Sequence, residues 1–192
     1  MDFLDTLMNI DEDILLYIQE NLRNASADKI MKAVTHLGDM GILWAIIIFT
    51  LLVSKKYKKT AFVMALTLSL GLLITNLILK NSVHRTRPFH AIEKLFPLIN
   101  KPKDWSFPSG HATSSIGCGI AMLRNLPKRY GISGFTIGLL IAVSRIYLGV
   151  HYTTDVVAGA LIGTFSAFTS EKIINKADNI ISEKRRQKKS PQ

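Results

Sequence analysis

The chain has 192 residues, of which 48% are apolar and 20% charged, and it carries a formal net charge of +10. That length allows one domain, and Lys and Arg bunched between apolar runs and at the C-terminus fit membrane topology better than a nucleic-acid-binding surface. The single cysteine, Cys118, lies inside an apolar segment, which excludes a disulfide framework or a cysteine-based metal site and reads as packing.

The acidic N-terminus (Asp2, Asp5, Asp11, Glu12, Asp13) lacks the basic start and apolar run of a signal peptide. Residues 2–23 space Leu7, Ile14, Leu15, Ile18 and Leu22 at helical intervals among acids and amides. Within residues 1–30 this predicts an amphipathic helix, too polar to span, that lies at the membrane surface or packs on the bundle. From about Lys32 to Val53 the chain turns apolar behind a polar entrance at His36 and Asp39. The fully apolar part is short of the ~20 residues a span needs, so that polar turn must sit at the interface or face a cavity.

A lysine hairpin (Lys55, Lys56, Lys58, Lys59) leads to a full apolar span from Thr60 to Leu79. Ala112 to Met122 begins a third span that ends at Arg124, Lys128 and Arg129. Ile132 to Leu148 makes a fourth, and Val156 to Phe168 forms the core of a fifth. The expectation is an all-α integral-membrane bundle of five to six helices. It forms a single domain over residues 1–175, followed by a disordered basic tail, 176–192, with Lys184, Arg185, Arg186, Lys188 and Lys189 near anionic headgroups.

The positive-inside rule places the lysine hairpin, the 124–129 turn and the tail in the cytoplasm. Residues 80–111 and 149–154 then share the outer side with the N-terminus. The 80–111 loop is itself rich in cations (Lys80, Arg85, Arg87, Lys94, Lys101, Lys103), which the rule disfavours unless an anion binds there.

Three charged clusters meet on that side. Lys80 and Arg87-Pro88 follow the second span; alone they read as snorkelling or loop-solvated cations sooner than as a site. Pro108-Ser109-Gly110-His111 precedes the third span. It reads as a turn with Ser109 as N-cap, or as an anion cradle of helix-start amides beside a glycine. Ser144-Arg145 ends the fourth span, and His151 and Asp155, four apart, share one face at the start of the fifth. Asp155 can hold one imidazole nitrogen of His151 and leave the other free. Together the clusters suit a phosphoryl group: three cations for its equatorial oxygens, one histidine to attack in line and one to protonate the departing oxygen. No carboxylate pair or cysteine set for a metal accompanies them, so neither metal nor other cofactor is expected.

Lys80 with Arg87-Pro88, Pro108-Ser109-Gly110-His111, and Ser144-Arg145 with His151 and Asp155 resemble the three-part signature of the type 2 phosphatidate phosphatase superfamily, in its integral-membrane branch. The resemblance covers residues 80–155 without departure at a motif position. It implies His151 as a nucleophile forming phosphohistidine, Asp155 orienting it, and His111 as general acid and then base. Lys80, Arg87, Ser109, Gly110 and Arg145 are implied as ligands of the phosphoryl oxygens. Only His151 has a carboxylate at the spacing that fixes its tautomer. His36, His84 and His90 fall outside the signature and read as ordinary loop histidines.

The implied substrate is a membrane lipid phosphate or diphosphate. Undecaprenyl diphosphate comes first, and phosphatidylglycerophosphate or phosphatidate second. Two other classes share the pocket chemistry: a noncatalytic lipid-phosphate binding or transport protein, which needs no His-Asp pair, and a vanadate-dependent haloperoxidase, against which the spans argue. The 89–107 loop, with Phe89, Phe96 and Trp105 among charges, reads as an aromatic-anchored interfacial loop or as a lid over the site. Gly134 with Gly138 and Gly159 with Gly163 have the spacing of close helix packing.

Overall fold

The computed structural model describes residues 3–187, and among these the regular structure is entirely helical. Helix α1 (Phe3–Tyr17) runs on through a π-helical turn, Ile18–Leu22. Asn24 starts α2 (Ala25–His36) by accepting from the Ala27 amide at 3.0 Å, satisfying one of the free donors of a helix start. A 3-10 turn, Asp39–Gly41, joins α2 to α3 (Ile42–Val53) with a bend of 42°. Helix α4 (Lys58–Leu72) passes through a π-helical segment, Leu73–Leu79, into α5 (Lys80–Val83), where His84 at φ 50° ends it. Pro88 opens the short α6 (Pro88–Ala91), where a missing N–H costs nothing. Then come α7 (Gly110–Asn125), α8 (Lys128–Tyr147) and α9 (Thr153–Gln187).

Helix α7 is the axis of the bundle, with α4, α8 and α9 packed around it. Its residues are small: Ala112, Ser115, Gly117, Cys118, Gly119 and Ala121 are all buried. The glycines earlier read as helix-packing positions act inside the chain. A Cβ on Gly117 would fall 3.0 Å from the Gly163 carbonyl oxygen, so α7 and α9 touch backbone to backbone there. Trp44 of α3 is fully buried in the core with Ile48, Met64 and Ile141, and its indole N–H donates to Ser115 Oγ at 3.2 Å.

Five spans were expected; by length and apolarity alone two segments qualify among the described residues, Lys58–Ala91 and Lys128–Tyr147, with a third if bent α2–α3 counts as one. Helix α7, 16 residues long, shows how a central helix escapes such a test. A helix ringed by others meets protein instead of lipid, so Ser, Thr and Gly replace the apolar residues that hydropathy detects. The tail also differs from expectation: α9 stays helical to Gln187, tied by Arg124 Nε to Glu171 at 2.5 Å and by Lys59 to Asp178 at 3.0 Å. Lys188 and Lys189 lie outside the described residues.

Of the two positions open to the N-terminal helix, the structure has it packed. Leu15 is buried with Ile92, Leu95 and Tyr152, and Asp11 is 1% exposed. The first half of the 89–107 loop is pinned as well, since Gln19 bonds the Lys94 carbonyl and the Phe96 amide, and the Leu98 amide donates to Leu148 O.

Candidate active site

The π-helical end of α4 delivers Lys80, the N-cap of α6 is Arg87, and Arg145 sits in the last turn of α8. All three side chains are buried and border a cavity of about 1080 Å³, together with Gly110, His111 and His151. Arg87 is fixed by the Asp104 and Val150 carbonyls, at 2.8 and 2.7 Å. Arg145 Nη1 donates to Thr35 Oγ1 at 2.6 Å, while its buried Nε has no partner among the described residues. Two of the three cations already hold an anion of the protein's own: Asp104 Oδ2 bonds Lys80 Nζ, and Asp104 Oδ1 accepts from Arg87 Nη2 at 2.7 Å. Burial alone would raise the Asp104 carboxyl, but Lys80 and Arg87 outweigh it and hold the pKa at about 2.

His151 follows α8 in a tight turn through Gly149, whose φ of 71° suits glycine. Its ring is 2% exposed, with Nδ1 3.4 Å from Asp155 Oδ2 and Nε2 3.2 Å from Arg87 Nη1. Burial, aided by the charges of Arg87 and Arg145, takes its pKa to about 3 against the opposing pull of Asp155, so at neutral pH the imidazole is uncharged. A neutral ring whose Nδ1–H faces a carboxylate carries its lone pair on Nε2, the nitrogen beside the cations.

Asp155 is itself over-determined. Oδ2 accepts from Ser106 Oγ at 2.5 Å and from the Tyr152 amide at 3.1 Å, and Oδ1 accepts from Arg85 Nη1 at 2.7 Å. Arg85 stacks 3.8 Å above Tyr152 and reaches Asp11 Oδ2 at 2.9 Å; Asp11 also accepts from the Thr154 amide and hydroxyl. An Asp11–Arg85–Asp155 chain therefore links α1 to the back of the His-Asp pair.

Ser109 caps α7 by accepting from the Ala112 amide at 3.4 Å, and its own amide donates to the Asp155 carbonyl at 3.0 Å. It lies behind the cavity wall, as does Asp155. Protein packing does not demand glycine at 110: a Cβ there would meet nothing nearer than Asn76 Oδ1, at 3.6 Å. Glycine instead leaves the first amides of α7 approachable from the cavity. His111 carries a correction. Sequence spacing gave a carboxylate partner to His151 alone, yet His111 Nε2 lies 3.0 Å from Asp39 Oδ1, a residue 72 positions away.

The fold thus brings all eight sequence-derived residues to one place: Lys80, Arg87, Gly110, His111, Arg145 and His151 on the wall, with Ser109 and Asp155 supporting it. Sequence reasoning missed Asp11, Thr35, Asp39, Arg85, Asp104 and Ser106 as members of the site. For Arg85 and Asp104 a signal existed, since both stand within the cation-rich loop next to signature residues. No His, Cys, Asp or Glu cluster suited to a metal occurs among the described residues.

The PAP2 superfamily model matches residues 59–178. An undecaprenyl-diphosphatase of Sulfolobus acidocaldarius is 30% identical over 131 residues, which are 68% of this chain and 63% of that protein. Phosphatidylglycerophosphatase B of Bacillus subtilis is 30% identical over 159 residues, 77% of this chain and 75% of that one. Among solved structures, the transmembrane PAP2 type phosphatidylglycerolphosphate phosphatase of Bacillus subtilis aligns with a TM-score of 0.71 and 27% identity, over 89% of this chain and 87% of that chain. With its charged clusters brought together at one cavity of a helical bundle and the family model matching residues 59–178, the chain belongs to the PAP2 superfamily, among its membrane phosphatases that hydrolyse phosphate esters.

Proposed function

We propose that this protein hydrolyses a lipid phosphate or diphosphate through a phosphohistidine on His151, with undecaprenyl diphosphate, cleaved to undecaprenyl phosphate and phosphate, as the first candidate substrate. The observation that carries the reading is the uncharged, buried His151, its Nδ1 on Asp155 and its Nε2 turned to the cations. Nε2 attacks phosphorus while Lys80, Arg87, Arg145 and the amide of Gly110 receive the phosphoryl oxygens, with Ser109 capping the helix start behind them. His111 protonates the leaving oxygen, then takes a proton from the water that opens the phosphohistidine. Side-chain cations supply the charge stabilisation throughout.

The loop lysines orient the bundle with the site on the extracytoplasmic face and the C-terminus in the cytoplasm. A headgroup phosphate then meets the cavity while its tails stay in the bilayer. The longer match to phosphatidylglycerophosphatase B favours phosphatidylglycerophosphate as the second reading. The test is phosphate release from undecaprenyl diphosphate, phosphatidylglycerophosphate, phosphatidate and diacylglycerol pyrophosphate in micelles, compared by kcat/KM. The polyprenyl substrate is expected to lead. A lead by phosphatidylglycerophosphate selects the second reading, and binding without release from any of them points to a noncatalytic carrier.

A further inference from the structure

The corner between α2 and α3 places two side chains at the cavity that lie far from every signature motif. Thr35 Oγ1 accepts from Arg145 Nη1 at 2.6 Å, and Asp39 Oδ1 accepts from His111 Nε2 at 3.0 Å. The backbone is shaped for this approach. Met40 and Gly41 take φ of 50° and 69°, and a Cβ on Gly38 would stand 2.7 Å from both His111 Cδ2 and Ile141 Cγ2, so a larger residue there would displace the ring or Ile141. The Met40 side chain is 93% exposed, so its own packing does not explain the left-handed backbone; such outliers persist where surrounding contacts dictate them, commonly at functional sites.

We propose that Asp39 is the positioning residue of the acid histidine: its carboxylate fixes His111 with Nε2–H toward Asp39 and supports the imidazolium, so that Nδ1 delivers the proton. The proposal rests on the reading of His111 as general acid. In the first step a bond forms between His151 Nε2 and phosphorus, and the P–O bond to the leaving group breaks with its electron pair going to oxygen. The His111 Nδ1 proton passes to that oxygen, while the Nε2 proton stays on the Asp39 hydrogen bond. His111 is then neutral, with Nδ1 ready to accept a proton from the attacking water. Asp155 supports His151 in the same manner, so each histidine has its own carboxylate.

The other charges around the ring make such support necessary. Arg145 from α8 and Lys80 from α5 both oppose a positive imidazole, and Asp39 is the anion that favours it. The second oxygen of Asp39 is held by His36 Nδ1 at 2.7 Å, which fixes the carboxylate's orientation.

Asp39→Asn keeps an acceptor of the same shape and removes the charge. Phosphoenzyme formation is followed by rapid quench in detergent with two substrates: a lipid alkyl phosphate, whose leaving oxygen needs a proton, and dinitrophenyl phosphate, whose leaving phenolate does not. The variant is expected to slow about 10- to 100-fold with the alkyl phosphate and to stay within about threefold of wild type with the dinitrophenyl ester, the pattern of lost general-acid catalysis. Asp39→Glu should recover part of the alkyl rate. Equal losses on both substrates, or no loss on either, overturn the proposal. His111→Asn is measured alongside. A loss confined to the alkyl substrate there upholds the general-acid reading whatever Asp39→Asn does, whereas equal losses there remove that reading and the role of Asp39 with it.

Discussion

Asp104 holds Lys80 and Arg87, the two cations that the proposed mechanism gives to the phosphoryl group, so Asp104→Asn should tighten phosphate binding. The cations are buried and the carboxylate side chain is 53% exposed, which makes Asp104 the movable partner. Charge-assisted hydrogen bonds are worth about 1.5–3 kcal/mol, but exposed ion pairs only ~0–1. A pair of contacts between buried cations and a half-exposed anion falls between, at about 1–2 kcal/mol, or roughly 5- to 30-fold in affinity. With a pKa near 2 the carboxylate is charged at every practical assay pH, so this competition does not titrate away. The assay is the inhibition constant of inorganic phosphate and the KM of the lipid substrate, for both proteins in the same detergent and salt. Both constants should fall together in the variant. Unchanged or weakened phosphate binding would mean that Asp104 aligns the cations instead of competing for them, and would refute the argument.

Two further consequences can be measured. Arg85→Met removes the cation between Asp11 and Asp155 without altering the cavity wall; kcat should fall about 10- to 100-fold with KM changed little, as when a partner that orients a reacting histidine is lost, and Arg85→Lys should restore only part because it cannot bridge both carboxylates. For His151 the folded pKa of about 3 lies below the unfolded value near 6.5, so between these pH values the unfolded chain binds a proton that the folded one does not. Its contribution is therefore present above pH ~6.5 and is lost progressively toward pH 3, at up to ~1.4 kcal/mol per pH unit. His151→Asn should flatten the fall of the thermal midpoint over that window, and parallel curves for the two proteins would contradict the buried neutral state.

The convergence of the candidate site residues was readable because they sit on short motifs at helix ends, where charge beside apolar runs is conspicuous. His151 and Asp155 needed only the helical interval of four to be paired. Asp39 and His111 could not be paired that way, since the contact depends on the α2–α3 bend and on Gly38 admitting the ring. Asp11 was visible only as one acid among several on an amphipathic helix; the packing of Leu15 against Ile92 and Tyr152 is what carries it inward. Length and apolarity alone register fewer spans than the five read from the sequence, because hydropathy records contact with lipid and α7, 16 residues long, has neighbours on all sides. The course of α9 beyond Phe168 depended on ion pairs to Lys59 and Arg124 that come from distant elements.

The central claim is that His151 Nε2 becomes covalently bound to phosphorus, and trapping that bond tests it most directly. Wild-type protein in detergent, quenched at the millisecond scale with a substrate carrying labelled phosphate, should retain label that survives alkali and is lost in acid, as a phosphoramidate does. His151→Asn should retain none, while Asp155→Asn should retain label formed more slowly. Label that persists in His151→Asn, or wild-type label that is lost in alkali as from an acyl phosphate, would contradict the mechanism.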